Sequence, residues 1–166
     1  MPTEAMVARF EARTRMHIGL VAKNLLLLQG YMGLERSELE ARARVHDQSK
    51  FDDSERTGYI WLTWRYDSKA VFEYPEGIQT TVEQALRHHR MRNLHHPEAH
   101  ATPDAMGILD LVEMVCDWTA IAQELHAGAG SARSWAEDNL GKWPFSPGKR
   151  HFVLATIDEL DRRHAR

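Results

Sequence analysis

The stretch "DDSERTGYIWLTWRY", residues 52–66, decides between two folds. Its second half, "WLTWRY", carries aromatic and β-branched residues that favour strands. Its first half has the acceptor-x-x-Glu form of a helix capping box, with Asp52 as N-cap and Glu55 at the third helical position. A capping box directly ahead of the apolar run predicts a helix. With that, the one strand candidate is gone and the chain reads as all-α.

The segments on either side agree. Residues 3–31 place Val7, Phe10, Val21, Leu25 and Leu28 at helical spacing, with Thr14 and His17 on the same stripe. Gly30 and Gly33 break that pattern. A second helix over 36–46 ends at His46-Asp47. "YPEGIQ", 74–79, is a turn-rich connection, and "TTVE", 80–83, is a second capping box opening "VEQALRHHRMRN". Pro97 makes "LHHPEAHA" irregular. Thr102-Pro103 is an N-cap and first-turn pair that predicts a long helix over 103–127, ended by "AGAGS". "SARSWAEDN" is a short helix and "GKWPF" a loop. Ser146-Pro147 repeats the cap-and-proline device ahead of a last helix, 147–164. The sum is about seven helices.

The bulk numbers suit one helical domain over residues 1–166: 43% of residues are hydrophobic and 27% charged. A net charge of −3 argues against a long nucleic acid as partner. No apolar run reaches membrane-span length. The acid-bearing start "MPTEAMVARFEARTR" lacks a secretory h-region, and Cys116 is the single cysteine, so a cytoplasmic location is expected. The apolar "HFVLATIDEL" near the C-terminus offers a face for a homo-oligomer.

Ten histidines are the unusual feature, four of them within residues 88–96. Imidazole and carboxylate are metal donors, and carboxylate can bridge two ions. Four features carry such groups. His17 lies on the apolar stripe of the first helix. His46-Asp47 sits at a helix end, where neighbouring side chains splay toward one point. "RHHRMRNLHHPEAH" holds two His-His pairs; on a helix His88 and His89 diverge by about 100°, so at most one of them is a ligand and the other supports a ligand or contacts substrate. Asp110, Glu113 and Asp117 share one face of an otherwise apolar helix, where unpaired carboxylates are costly. Asp117 is the deepest candidate of the three.

The order His…His-Asp…His…His…Asp on helices resembles the HD-domain superfamily of metal-dependent phosphohydrolases. "HDQSK" looks like its His-Asp-x-x-Lys variant. "HHPE" and the double-His segment are similar to the bimetallic members, including cyclic-dinucleotide phosphodiesterases, and "EMVCDWTAIAQ" to the helix with the final Asp ligand. "HDQSKF", "HHRMRNLHHPE" and "EMVCDW" look most like a family of short HD-like proteins of phages and bacteria, over about residues 17–155. The Gly-Tyr-Pro signature of the cyclic-dinucleotide enzymes is missing, so their substrate is not carried over.

The resemblance implies an HD-domain-like helical fold with one or two divalent ions (Mn, Zn, Co, Ni, Mg or Fe). It makes His17, His46, Asp47 and Asp117 the core ligands. His89 and His96 complete a second position, and Asp47 bridges. Lys50 matches the superfamily lysine that meets a phosphate oxygen. Glu113, His88 or His95 would orient water or protonate a leaving oxygen. The implied reaction is hydrolysis of a small phosphorylated substrate such as a nucleotide. The alternative is an HD-type diiron oxygenase cleaving a C–C or C–P bond. Tyr59, Trp61 and Trp64 are candidates to stack a base, and Arg90 and Arg92 to meet phosphate. Glu55 and Tyr59 match the pattern of the short HD-like family, and Glu55 is assigned to helix capping rather than to catalysis.

Overall fold

"DDSERTGYIWLTWRY" is helical, as the sequence predicts, but the capping box in front of it does not form. In the computed structural model, which describes residues 1–68, 72–126 and 130–166, Asp52 is the N-cap by backbone geometry alone and makes no side-chain cap bond. Glu55 turns away from the helix end and is fully buried. Its carboxylate has stronger partners than a backbone amide.

Among the described residues there are seven α-helices and no strand. They are α1 (Glu4–Leu27), α2 (Arg36–Val45), α3 (Asp53–Asp67), α4 (Ile78–Arg92), α5 (Ile108–Leu125), α6 (Arg133–Asn139) and α7 (Pro147–His164). Thr3 caps α1 through its hydroxyl, and Ser146 caps α7 with Pro147 in the first turn. The break after α1 uses Gly30 and Gly33 at φ 79° and 78°, a conformation that glycine adopts without strain. No helix among the described residues is long and apolar enough to cross a membrane.

Two predicted helix starts are corrected. Thr102-Pro103 opens only a 3₁₀ turn, Pro103–Ala105. α5 begins at Ile108 because Asp110 Oδ2 accepts from the Gly107 amide at 3.0 Å and seals the end there. α4 begins at Ile78, behind Gly77, so "TTVE" lies inside the helix, and Thr81 donates back to the Gly77 carbonyl. Of the predicted terminator "AGAGS", residues 127–129 lie outside the described residues.

α1 is the organising element. Its N-terminal half puts Met6 and Phe10 against Ile60 and Trp61 of α3 and Val82 of α4. Its C-terminal half puts Val21 and Leu25 into a larger core with Leu111 and Val115 of α5 and Ile157 and Leu160 of α7. The apolar face of α7 is thereby turned into the chain's own core. Between the two cores, α1 carries Thr14 and His17, both buried. α3 and α4 lie close because Gly58 has no side chain: a Cβ there would collide with the Ala85 methyl and sit 2.9 Å from the Thr81 carbonyl.

Candidate metal centre

The polar residues between the two cores converge on Asp47. Asp47 follows the last residue of α2 by two positions, at φ 57°, a left-handed conformation that Asp tolerates better than most residues. This kink turns its carboxylate inward, where it is fully buried. His46, the C-cap of α2, is buried beside it.

The two oxygens of Asp47 face different histidines. Oδ2 lies 3.5 Å from His17 Nε2 and 3.6 Å from His46 Nε2. Oδ1 lies 3.2 Å from His89 Nε2 and 3.7 Å from His95 Nε2. Asp117 Oδ1, from α5, joins the first side at 2.9 Å from His17 Nε2 and 3.8 Å from His46 Nε2. His17, His46, Asp47 and Asp117 therefore form one group able to hold a metal ion, and His89, His95 and His96 form a second. Four histidines present Nε2 to a single carboxylate, from α1, α2, α4 and the loop after α4.

Each of these rings is anchored from behind. Nδ1 of His17 pairs with Glu124 at 2.6 Å, Nδ1 of His46 with Glu113 at 2.8 Å, and Nδ1 of His89 with Glu55 at 2.9 Å. Nδ1 of His95 lies 3.4 Å from Glu113. A carboxylate behind Nδ1 fixes the tautomer that leaves the Nε2 lone pair facing inward, and metal-ligating histidines are held in this way. Among the described residues, His46 Nε2, Asp47 Oδ1 and His96 Nε2 are buried without a hydrogen-bond partner in good geometry. Unpaired buried lone-pair atoms are costly, and these three belong to the residues of the two groups, where cations would satisfy them.

The electrostatics agree with that fit. Burial disfavours a charged His17, but hydrogen bonds to Asp117 and Glu124 outweigh it and raise the ring to about 9. The acids of the cluster thus attract positive charge. Burial is likewise outweighed at Asp47, which His46 and Lys50 hold well below the carboxylate range, and at Asp117, which the His17 bond lowers. Against burial, His46 and His95 lower Glu113 to about 2. His96 moves the other way: burial, with His95 and His89 beside it, keeps the ring neutral and its lone pair free.

The remaining predicted residues fall around this centre. Lys50 forms an ion pair with Asp47 Oδ2 and sits 5.0 Å over the Tyr59 ring. Glu113 is more deeply buried than Asp117, and its oxygens are taken by His46 and by Arg42 at 2.8 Å, so it holds rings in place. Asp110 is drawn off by Arg42 at 2.8 Å. His88 reaches Glu55 at 2.7 Å from the partly exposed side. Trp61 is core and Trp64 packs against it, whereas Tyr59 meets His89 edge-on at 5.3 Å. A cavity of about 220 Å³ opens over the cluster, walled by His17, His89, His96, Asp117, Lys50 and Tyr59, with Arg13 and Arg90 at its sides. Arg92 faces a different cavity, behind His95 and Glu113.

Glu55, Glu124 and Arg42 are the functional positions that sequence reasoning missed. Glu124 had a signal: it lies one heptad after Asp117 on the same helix face. Arg42 lies one turn before His46. Glu55 was hidden by its match to a capping motif.

Fold and site together define an all-α protein with a buried histidine–aspartate cluster able to hold metal ions. The chain matches DUF5662, a family of unknown function, over residues 6–159, and belongs to that family. No curated protein and no solved structure matches it.

Proposed function

We propose that the protein is a metal-dependent phosphohydrolase of HD type that acts on a nucleotide or another small phosphate ester. The observation that supports it most is the division of Asp47, with one oxygen facing His17 and His46 and the other facing His89 and His95. That is what a carboxylate shared between two cations requires. His17, His46 and Asp117 would hold one ion with Asp47, and His89, His95 and His96 the other.

Bound divalent metal supplies Lewis acidity and an acidified water. The chain supplies the rest. Lys50, Arg13 and Arg90 line the cavity and give positive charge to a phosphoryl group. Burial and the nearby Asp47 and Glu55 charges push the Tyr59 phenol up, so it stays a neutral donor. Glu55, Glu113 and Glu124 orient the imidazoles, and the apolar cores on both sides keep bulk water away from them.

The test is metal quantification of the purified protein, then phosphate release from a panel of nucleotides and phosphoesters with and without added Mn²⁺, Co²⁺, Ni²⁺, Zn²⁺ or Mg²⁺. The expected result is bound divalent metal and metal-dependent phosphate release that Asp47→Asn abolishes. Protein that takes up no metal, or release that survives Asp47→Asn, overturns the reading. A mixed-valent diiron spectrum with oxygen uptake transfers the protein to the oxygenase alternative.

A further inference from the structure

The cavity over the cluster, about 220 Å³, is smaller than pockets that enclose a whole small-molecule ligand. It has room for a phosphoryl group and little more. A second cavity of about 810 Å³ adjoins it. The two share Tyr66, Arg90, His96, Asp117 and Ile121 as walls, so a molecule held at the cluster extends directly into the larger space.

That annex is aromatic. Trp118, next in the chain after Asp117, has its ring centroid 4.5 Å from Trp135 and 6.1 Å from Trp143, the latter pair nearly parallel at 16°. All three tryptophans line the annex. So do Ile121 and Leu125, 41% and 72% exposed, and Trp135 is itself 41% exposed. Large apolar side chains gathered on one exposed concave wall mark a binding surface. Ser134, Asp138 and Lys142 add hydrogen-bonding groups to the same wall. Arg90 stands at the boundary with the cluster, where a phosphate would join the rest of a substrate.

We propose that this annex is the specificity subsite of the centre and takes a planar aromatic group of nucleobase size, attached to the phosphate that the inner cavity receives. The phosphate half rests on the phosphohydrolase reading; the aromatic half rests on the annex alone. Trp135 provides the exposed stacking face, and Ile121 and Leu125 close the edge.

Adenosine, adenosine monophosphate and glycerol phosphate are the probes, used on the full chain as purified. Calorimetric titration with adenosine should show saturable binding, weakened about tenfold by Trp135→Ala and largely restored by Trp135→Phe. With metal supplied, adenosine monophosphate should exceed glycerol phosphate in kcat/KM, and Trp135→Ala should raise KM for the nucleotide only. Absence of adenosine binding, or binding that Trp135→Ala leaves unchanged, overturns the proposal. So does a dimer, seen by sedimentation, that Trp135→Ala disperses, because a second copy would then cover this wall. Adenosine binding at Trp135 with no phosphate release from any ester supports the annex and removes the phosphohydrolase reading instead.

Discussion

Glu55 Oε2 accepts from Nδ1 of His89 at 2.9 Å, and this bond decides which nitrogen of the ring faces Asp47. The other oxygen of Glu55 accepts from His88 at 2.7 Å, and Ser49 donates to Oε2 at 3.0 Å. The first turn of α3 is thus fastened to α4 through a buried carboxylate. Helix packing and ring orientation are set by the same group.

Glu55→Ala removes the acceptor of both rings at once. Metal affinity is expected to fall roughly 10- to 100-fold, the usual cost of losing the group behind a ligating histidine. Glu55→Gln keeps one carbonyl acceptor and should lose less. Calorimetric titration with Zn²⁺ or Mn²⁺ measures both, and equal affinities in all three proteins would deny Glu55 this role.

Asp47→Asn separates the backbone role of Asp47 from its charge. Asn accepts the left-handed conformation at φ 57° as readily as Asp, so helicity by circular dichroism should not change. Metal content should drop for both ions, because each ring group loses its shared carboxylate. His96→Ala should lose only the ion of its own group. A variant lacking the Asp47 carboxylate that retains full metal content would refute the bridging geometry.

In protein stripped with a chelator, stability should depend on pH from both sides. Outweighing burial, Asp117 and Glu124 raise His17 from 6.5 to about 9. Its contribution is complete below pH 6.5 and is lost as pH rises through 9. The full loss is on the order of 3 kcal/mol. Glu113, lowered from 4.5 to about 2, contributes above pH 4.5 and loses its contribution as pH falls through 2. Urea midpoints across this range should peak between the two limbs, and His17→Asn should flatten the alkaline one. A midpoint that does not change between pH 6.5 and 9 would contradict it.

Helix identity was legible in the sequence because caps and periodicity are local. Ser146-Pro147 marks a helix end that the structure keeps. His17, His46, Asp47 and Asp117 were legible as separate candidates because each sits at an inward position or a helix end, whereas their membership of one set was implied by the HD-domain resemblance; the structure brings the four together. What stayed hidden was competition for the same side chain. Glu55 satisfies a capping motif, yet two imidazoles in a buried site bind it more strongly than a backbone amide does. "TTVE" and Thr102-Pro103 fail similarly, because Gly77 and the Gly107–Asp110 pair cap their helices at other positions. Which of two adjacent histidines turns inward is set by the tilt of α4 and the loop after it, and no local pattern encodes that.

Gly58→Ala tests the approach of α3 to α4. The added methyl meets Ala85 and lies 2.9 Å from the Thr81 carbonyl, which is backbone and cannot step aside alone. The expected destabilisation is about 1–3 kcal/mol by urea unfolding, typical of overpacking. Because α4 carries His89, metal affinity should fall as well. Ala85→Gly in the same chain relieves the methyl contact and should restore part of the stability. Wild-type stability in the single variant would show that the helices have slack here.

Lys50 distinguishes a structural counter-ion from a substrate-binding cation. It pairs with Asp47 Oδ2, lies over the Tyr59 ring and lines the cavity above the cluster. If its role were only to neutralise Asp47, bound metal would take that role over, and Lys50→Met would leave turnover unchanged in metal-saturated protein. If it meets a phosphoryl oxygen, kcat/KM for phosphoesters should drop roughly 10²- to 10³-fold while metal content holds. Metal affinity should hold or rise, since a cation competing for Asp47 has been removed. Lys50→Arg should recover little, because a planar guanidinium does not fit where a compact ammonium sits between Asp47 and the Tyr59 ring. Turnover that tracks only metal occupancy across these variants would leave Lys50 the counter-ion and shift the search for the phosphate-binding charge to Arg13 and Arg90.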